Sequence, residues 1–232
     1  MNSMTATMTS AAHGTARVLV VDDHPALRAG LEGLLSSEPG LHCVCALDGT
    51  EGLHAAIQDL RPDVVVLDYA LGADDGLTTC FRVKQQPHPP AVVLYSAYVD
   101  RVFTVPAAMA QADATVSKSA PVGELLSAIR DVASGGPRRP ALDTELIEAA
   151  SARLLTDDLP IAAMLLSATP VGDIATIVDT SVADVRRRAL RIIGRLQAGN
   201  RRRAIPPAPD STPLTPPRTN RALATRHTRR SE

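Results

Sequence analysis

Residues 18–23 read VLVVDD, a short apolar run that ends at two carboxylates, Asp22 and Asp23. Runs of this length, rich in β-branched residues, predict strands that are buried on both faces of a sheet. Four similar runs follow, separated by stretches with the apolar spacing of helices. This alternation predicts a doubly wound α/β domain with a five-stranded parallel sheet. The predicted strands are residues 17–21, 41–46, 64–67, 91–95 and 114–116, and the predicted helices are residues 25–35, 49–60, 77–85, 101–111 and 122–133.

The chain changes character at residues 134–140, which read SGGPRRP and contain the turn formers that mark a break between domains. No strand pattern follows this break. Helical spacing predicts helices at residues 143–153, 159–167, 172–178 and 182–196, with a tight turn before the last. We therefore expect a disordered N-terminus (1–16), the α/β domain (17–134), a linker with a helix (135–154), a small all-α helix-turn-helix domain (155–197), and a disordered Arg- and Pro-rich tail (198–232).

Charge is distributed unevenly along the chain. Residues 17–134 hold 8 Lys and Arg against 15 Asp and Glu, whereas the rest holds 16 basic and 10 acidic residues. This asymmetry favours a polyanion as a partner for the basic rear half. No run approaches the roughly 20 apolar residues that span a bilayer, so we expect a cytoplasmic protein with no membrane partner. The three cysteines, Cys43, Cys45 and Cys80, lack a paired metal-ligand spacing and are expected to be free thiols.

Polar residues with complementary chemistry follow four of the five predicted strands. Asp22 and Asp23 follow the first strand, Asp68 the third, Ser96 the fourth and Lys118 the fifth. Because functional groups of an open parallel sheet collect at the carboxyl ends of its strands, we expect these residues to converge. Three converging carboxylates repel each other unless a cation holds them, and oxygen ligands of this kind suit Mg²⁺.

A carboxylate in this setting can also act as a nucleophile that accepts a phosphoryl group. A metal ion and a lysine would neutralise the transferring oxygens, and the Ser96 hydroxyl would hydrogen-bond the group once it is bound. Lys118 is informative because the chain has only two lysines, Lys84 and Lys118, among 24 basic residues. A single Asp, Ser or Lys after a strand is usually a turn or solvated residue, but the set together favours a phosphoryl-accepting site.

The segments around these residues resemble the receiver domains of NarL/FixJ-type two-component response regulators. The resemblance covers about residues 17–134. It is carried by VLVVDDHPALRAGL at residues 18–31, by VVVLD at residues 64–68 with Gly76 eight residues later, and by Ser96 and Lys118.

This resemblance implies a flavodoxin-like fold and a specific division of labour among the polar residues. Asp68 would be the phosphoacceptor, supplied by a sensor histidine kinase. The Mg²⁺ ion would be held by Asp22, Asp23, Asp68 and the carbonyl of Ala70. Ser96 and Lys118 would contact the phosphoryl group.

Some positions depart from the family pattern. The aromatic switch residue that usually precedes the lysine by three positions is Thr115, and the proline that usually follows the phosphoacceptor by four positions is Gly72. Both indicate that phosphorylation is coupled to the rest of the protein in a different way. Tyr98 is a candidate substitute aromatic, and an exposed tyrosine without such a role is the alternative. Ala70 and Tyr98 stand where many receivers carry polar groups that orient a hydrolytic water. We therefore expect slow loss of the phosphoryl group.

The last predicted helix is rich in arginine. Residues 181–196, SVADVRRRALRIIGRL, resemble the recognition helix of LuxR-type output domains, and Ser181 is a suitable N-cap. Recognition helices present their first residues to base edges and use further basic residues on phosphates. A solvated basic helix is the alternative interpretation. By the resemblance, the candidate DNA contacts are Arg186, Arg187 and Arg188, with Arg191 and Arg195 nearer the backbone.

These features predict a response regulator, not an enzyme, in which phosphorylation of Asp68 controls DNA binding and transcription. We also expect homodimerisation on phosphorylation, although residues 200–207 replace the short final helix through which LuxR-type domains commonly dimerise. The alternative is a phosphorelay or protein-interaction module whose degenerate rear domain does not bind specific DNA. A metal-dependent phosphatase is weaker, because the sequence offers no general acid or substrate pocket.

Overall fold

The computed structural model describes residues 14–72, 74–97, 99, 103–136 and 142–204. Its main sheet is parallel, with the strand order β2-β1-β3-β6-β7. A two-residue antiparallel pair, β4 with β5, follows β3. The strands are β1 (Ala16–Val21), β2 (Leu41–Leu47), β3 (Val64–Asp68), β4 (Ala70–Leu71), β5 (Asp74–Asp75), β6 (Ala91–Ser96) and β7 (Ala114–Ser117).

Helices cover both faces of this sheet and continue beyond it. Those of the α/β domain are α1 (Pro25–Ser37), α2 (Leu53–Leu60), α3 (Gly76–Lys84), α4 (Thr104–Met109) and α5 (Val122–Ala133). Those that follow are α6 (Thr144–Ser151), α7 (Leu159–Leu166), α8 (Val171–Ile177) and α9 (Val182–Ala204), with a 3₁₀ turn at Thr156–Asp158 before α7.

Alternation along the strands divides the apolar residues between two clusters. In β1, Val18 and Val20 pack with α1 and α5, whereas Leu19 and Val21 pack with α2, α3 and α4. All four are 0% exposed, as expected for strands buried on both faces. The predicted doubly wound α/β fold is therefore confirmed.

The rear helices form one continuous apolar cluster with the α2–α4 side of the sheet. Ile161 and Leu165 of α7, Ile174 of α8 and Ile192 of α9 are fully buried in the same cluster as Phe81. Helix α4 packs against α6, α7 and α9, and α3 packs against α9. The helical domain is thus docked on one face of the α/β domain.

The helix bounds depart from expectation at the end of the chain. Helix α9 continues to Ala204, so the expected disordered tail does not begin at residue 198. Arginine and alanine have high helix propensity, and they extend the helix past its last apolar residues. The remainder of that tail, like the expected disordered N-terminus up to residue 13, lies outside the described residues.

Two further observations concern the thiols and the membrane. All three cysteines are free, as predicted, with Cys80 buried and the other two half-buried. In the part of the chain that the structure describes, every helix is too short or too polar to cross a bilayer.

Candidate functional site

The carboxyl edge of the sheet brings together the residues that the sequence singled out. Asp22 directly follows β1, Asp68 ends β3, Ser96 ends β6 and Lys118 follows β7. The strands that carry them are neighbours in the sheet, so residues almost a hundred positions apart meet. Asp22, Asp68 and Ser96 are 1%, 3% and 1% exposed. Burial of so many polar groups at one edge requires that they satisfy one another.

Lys118 bridges the two buried carboxylates. Its Nζ lies 2.8 Å from Asp22 Oδ2 and 2.7 Å from Asp68 Oδ2. Burial by itself would lower the pKa of Lys118, but its hydrogen bonds to the two carboxylates raise the pKa overall. The lysine therefore remains a cation between the two carboxylates.

The pKa of Asp68 is raised even though Lys118 contacts its carboxylate. Burial raises the pKa of Asp68 above its ordinary range, and the nearby Asp22 carboxylate raises it further, although Lys118 and the amide of Ala70 act in the opposite direction. The single positive charge of Lys118 is thus shared between two buried carboxylates. A site with such an excess of negative charge attracts a further cation.

The donor set fits Mg²⁺. Ligand atoms of Asp22, Asp23, His24 and Asp68 all lie within 4.8 Å of one another. Apart from their ion-pair contacts, Asp23 Oδ1 and Asp68 Oδ2 are buried and accept no hydrogen bond. Carboxylate oxygens with spare lone pairs are the ligands that Mg²⁺ prefers.

His24 was missed as a member of this cluster. Its Nδ1 lies 2.8 Å from Asp23 Oδ1 and 3.8 Å from Asp68 Oδ2. Its side chain is 65% exposed, whereas those of Asp22 and Asp68 are 2% and 3% exposed. The signal that could have found it is its position directly after Asp22-Asp23, where a turn out of β1 keeps the side chain close to both.

The backbone behind Asp68 is closely packed. A Cβ on Gly76 would lie 2.4 Å from the Asp68 carbonyl oxygen and 2.6 Å from Tyr69 Cα, so only glycine fits there. The Gly76 amide donates a hydrogen bond to the Tyr69 carbonyl at 2.9 Å. Asp75, the N-cap of α3, accepts hydrogen bonds from the amides of Leu77 and Thr78. The start of α3 is therefore held against the end of β3.

The two departures from the family pattern also have a structural setting. Thr115 is half-buried in β7 beside Leu94 of β6. The aromatic ring nearest Lys118 among the described residues is Tyr95, whose centroid lies 5.8 Å from Nζ. Gly72 has a φ of +58° and approaches Asp23, a backbone conformation that proline cannot adopt. Tyr98 lies outside the described residues.

Comparison with known proteins agrees with this geometry. Residues 18–130 match the response regulator receiver domain family. The solved receiver domain of the putative response regulator NarL from Mycobacterium tuberculosis is 30% identical, with a TM-score of 0.50 over 53% of this chain and 98% of that one. The chain belongs to the response regulator family. Its α/β domain is a receiver domain.

Two longer relatives match this response regulator either over part of their length or at low sequence identity. The Transcriptional regulatory protein LiaR of Bacillus subtilis is 29% identical over 123 residues, 53% of this chain and 58% of LiaR. This chain thus spans a little over half of that curated relative. RcsB of Salmonella enterica, solved bound to a promoter, covers 79% of this chain and 92% of its own with a TM-score of 0.52. At 18% identity, that likeness concerns the fold alone.

The candidate DNA contacts of this response regulator differ in their surroundings. Arg186 and Arg187 are exposed, and Arg187 pairs with Asp184 one turn earlier. The predicted N-cap is present, because Ser181 Oγ accepts a hydrogen bond from the Asp184 amide. Arg195 is half-buried, and its carbonyl accepts a hydrogen bond from Arg153.

Two of the five arginines are engaged inside the domain. Arg188 Nε and an Arg191 terminal nitrogen lie 3.1 Å and 3.0 Å from Oδ1 of Asp158, which is 1% exposed. Burial by itself would raise the pKa of Asp158, but the hydrogen bonds from Arg191 and Arg188 lower it overall. These arginines therefore hold α9 to the turn before α7, a role that the sequence did not indicate.

Proposed function

We propose that this response regulator accepts a phosphoryl group on Asp68 from a sensor histidine kinase and regulates transcription by binding DNA through its helix-turn-helix domain. The observation that carries the proposal is the contact of Lys118 with both Asp22 and Asp68, in a cluster where ligand atoms of Asp22, Asp23 and Asp68 lie within 4.8 Å of one another. This combination provides a nucleophile, a cation and metal ligands within a few ångströms of one another.

The transfer requires charge compensation more than covalent chemistry. An Asp68 carboxylate oxygen would attack the phosphorus of a phosphohistidine, forming an oxygen–phosphorus bond while the phosphorus–nitrogen bond breaks and the imidazole leaves. Lys118, released in part from Asp22, would bind a phosphoryl oxygen, and the Ser96 hydroxyl would donate a hydrogen bond to another. Asp22, Asp23, Asp68 and the Ala70 carbonyl would hold Mg²⁺, which would neutralise the developing charge.

DNA binding is proposed for the arginines that remain accessible. Arg186 and Arg187, near the start of α9, would approach bases or phosphates, and Arg195, which is half-buried further along α9, would contact the DNA backbone. Arg188 and Arg191 would contribute less, because contact with DNA would leave Asp158 buried without a partner. A homodimer on paired half-sites would bring two such helices to the DNA.

A protein-interaction module remains the second candidate, and one observation favours it. Asp184 lies in the first turn of α9 and pairs with Arg187, so a carboxylate stands where DNA phosphates would approach. In this case phosphorylation would control a protein partner, with no specific DNA involved. Absence of enzymatic activity and a cytoplasmic location belong to both versions of the proposal.

The first part of the test is phosphorylation of the purified protein with a small phosphodonor and Mg²⁺, measured by intact mass. Wild type should gain one phosphoryl group, and Asp68→Asn should gain none. Asp59→Asn makes the same change at an exposed residue of α2 and should behave as wild type. Label retained by Asp68→Asn would contradict the assignment of the phosphoacceptor.

The second part is DNA binding, with genomic fragments selected on the immobilised protein and measured at several salt concentrations. Specific binding should strengthen after phosphorylation of wild type and be lost in Arg187→Glu. Arg61→Glu, a charge reversal at an exposed residue of the receiver, should leave it unchanged. Phosphorylation without any specific DNA binding would favour the interaction module.

A further inference from the structure

Helix α9, the last helix in the described part of the chain, lies along the receiver in a definite register. Gln197, in the second half of α9, contacts Asp75, the N-cap of α3, and Arg186, near the start of α9, contacts the carbonyl of Gln85 just after α3. Ten residues separate the two contact points on α3 and eleven separate those on α9. At 1.5 Å rise per residue these spans are nearly equal, so the two helices run antiparallel side by side.

The two ends of this interface are unequal. Gln197 is 6% exposed, and its Nε2 donates to Asp75 Oδ1 at 2.5 Å. The contact from Arg186 to Gln85 is 3.5 Å long and exposed. A partly buried hydrogen bond to a carboxylate is stronger than a long, exposed contact with a carbonyl, and losing it would leave the Gln197 amide without this partner. The stronger of the two contacts, between Gln197 and Asp75, is therefore the one nearer to Asp68.

Short backbone links join Asp75 to Asp68. Asp75 of β5 pairs with Ala70 of β4, and the amide of Ala70 donates to Asp68 Oδ1 at 3.3 Å. The next residue, Gly76, is held against the carbonyl of Tyr69. Any shift of residues 69–71 when the site fills must therefore act on Asp75. The strand that carries Thr115 has no aromatic side chain with which to transmit such a shift.

We propose that the Asp75–Gln197 hydrogen bond is the latch through which the state of Asp68 controls the docking of α9 on the receiver. The signal runs from Asp68 through the β4–β5 pair to Asp75, and from there to Gln197, and bypasses β7. When the site fills, displacement of Asp75 breaks the hydrogen bond and α9 is released from α3. This inference rests on the proposed phosphorylation of Asp68 and assigns the route by which that event reaches the output helix.

The test is amide hydrogen exchange of the full chain, followed by mass spectrometry on peptides from α3 and α9. In wild type, a phosphodonor with Mg²⁺ should accelerate exchange in both helices, and Asp68→Asn should not respond. Gln197→Met keeps the side-chain length and removes the hydrogen bond. It should accelerate exchange in both helices about tenfold without the phosphodonor, because a hydrogen bond to a carboxylate contributes about that factor or more. Its rate of phosphorylation should stay at the wild-type level.

Arg186→Met is the matched control at the weak end of the interface and should change exchange little. Asp75→Asn retains an oxygen that caps α3 and weakens the same contact, so the double variant with Gln197→Met should open no further than Gln197→Met alone. Exchange in Gln197→Met at the wild-type level, or an equal effect of Arg186→Met, would overturn the latch. Failure of wild type to take up a phosphoryl group would instead overturn the proposed function and with it the control by Asp68, and the basal exchange of Gln197→Met would then show separately whether this hydrogen bond holds α9 on α3.

Discussion

Two buried carboxylates of this protein, Asp68 in the receiver and Asp158 in the helical domain, have opposite electrostatic settings. Asp68 shares one lysine with Asp22, and its pKa is raised. Asp158 has two arginines, and its pKa is lowered. The comparison separates two buried carboxylates that share one lysine from a single buried carboxylate that is paired with two arginines. The proposed cation and phosphoryl binding belongs to the first arrangement, which is short of positive charge. Charged residues at both places look alike in the sequence.

The largest effect is expected at Lys118, the only cation shared by the receiver carboxylates in the described residues. Lys118→Met should slow phosphorylation by a small phosphodonor about a hundredfold, since one charge-stabilising contact to the transferring group is lost. Lys84→Met removes the only other lysine. The Lys84 ammonium lies 2.8 Å from a carboxylate oxygen of Asp113, and this pair is not part of the site. The substitution should lower stability and leave the rate nearly unchanged. Equal phosphorylation rates in the two variants would show that Lys118 has no special role in the transfer.

Gly76 tests whether the close backbone packing behind Asp68 is needed. Gly76→Ala should lower the free energy of unfolding by about 2 to 3 kcal/mol, because the new Cβ would overlap the backbone at Asp68 and Tyr69. Gly123→Ala is the matched control in the first turn of α5, where nothing lies within 4 Å of an added Cβ. Urea unfolding of both variants gives the comparison. Equal midpoints would mean that the start of α3 can move freely.

Asp158 tests the structural side of the comparison. Asp158→Asn should cost about 1 to 2 kcal/mol of unfolding free energy, discounted because Arg191 is partly exposed. Because its pKa is lowered in the folded state, the stabilisation by Asp158 is present above the usual Asp range near pH 4 and is lost as pH falls through the lowered value. Wild type should therefore lose its advantage over the variant in acid. Asp157→Asn, a neighbouring exposed carboxylate, should show no such convergence.

The smallest effect is expected at Asp68 and has the opposite sign. Because burial raises its pKa, ionised Asp68 destabilises the fold above the usual Asp range near pH 4, and protonation in acid removes this penalty. Asp68→Asn should therefore gain up to about 1 kcal/mol of unfolding free energy at neutral pH without divalent cations. The gain should shrink as pH falls. A loss of stability at neutral pH would show that Lys118 already compensates the charge of Asp68.

The receiver site was largely predictable because it is encoded by short apolar runs, each followed directly by a polar residue. β-branched runs that end in Asp22, Asp68, Ser96 or Lys118 place these residues at strand ends, and the parallel sheet brings strand ends together. His24 was missed because its position depends on a turn. Asp158 and Gln197 were missed because their partners lie 30 or more residues away in sequence, and no spacing rule connects them.

The sequence by itself determined the alternation of the five main strands with helices along the chain, the doubly wound sheet and the edge at which Asp22, Asp68, Ser96 and Lys118 meet. These follow from side-chain periodicity and from strand direction, which are properties of neighbouring residues. Only the tertiary structure decided which arginines of α9 balance Asp158 and how α9 lies against α3. Those contacts depend on how the surfaces of two parts of the chain fit each other, and the free energy of such a fit is distributed over residues that are distant in sequence.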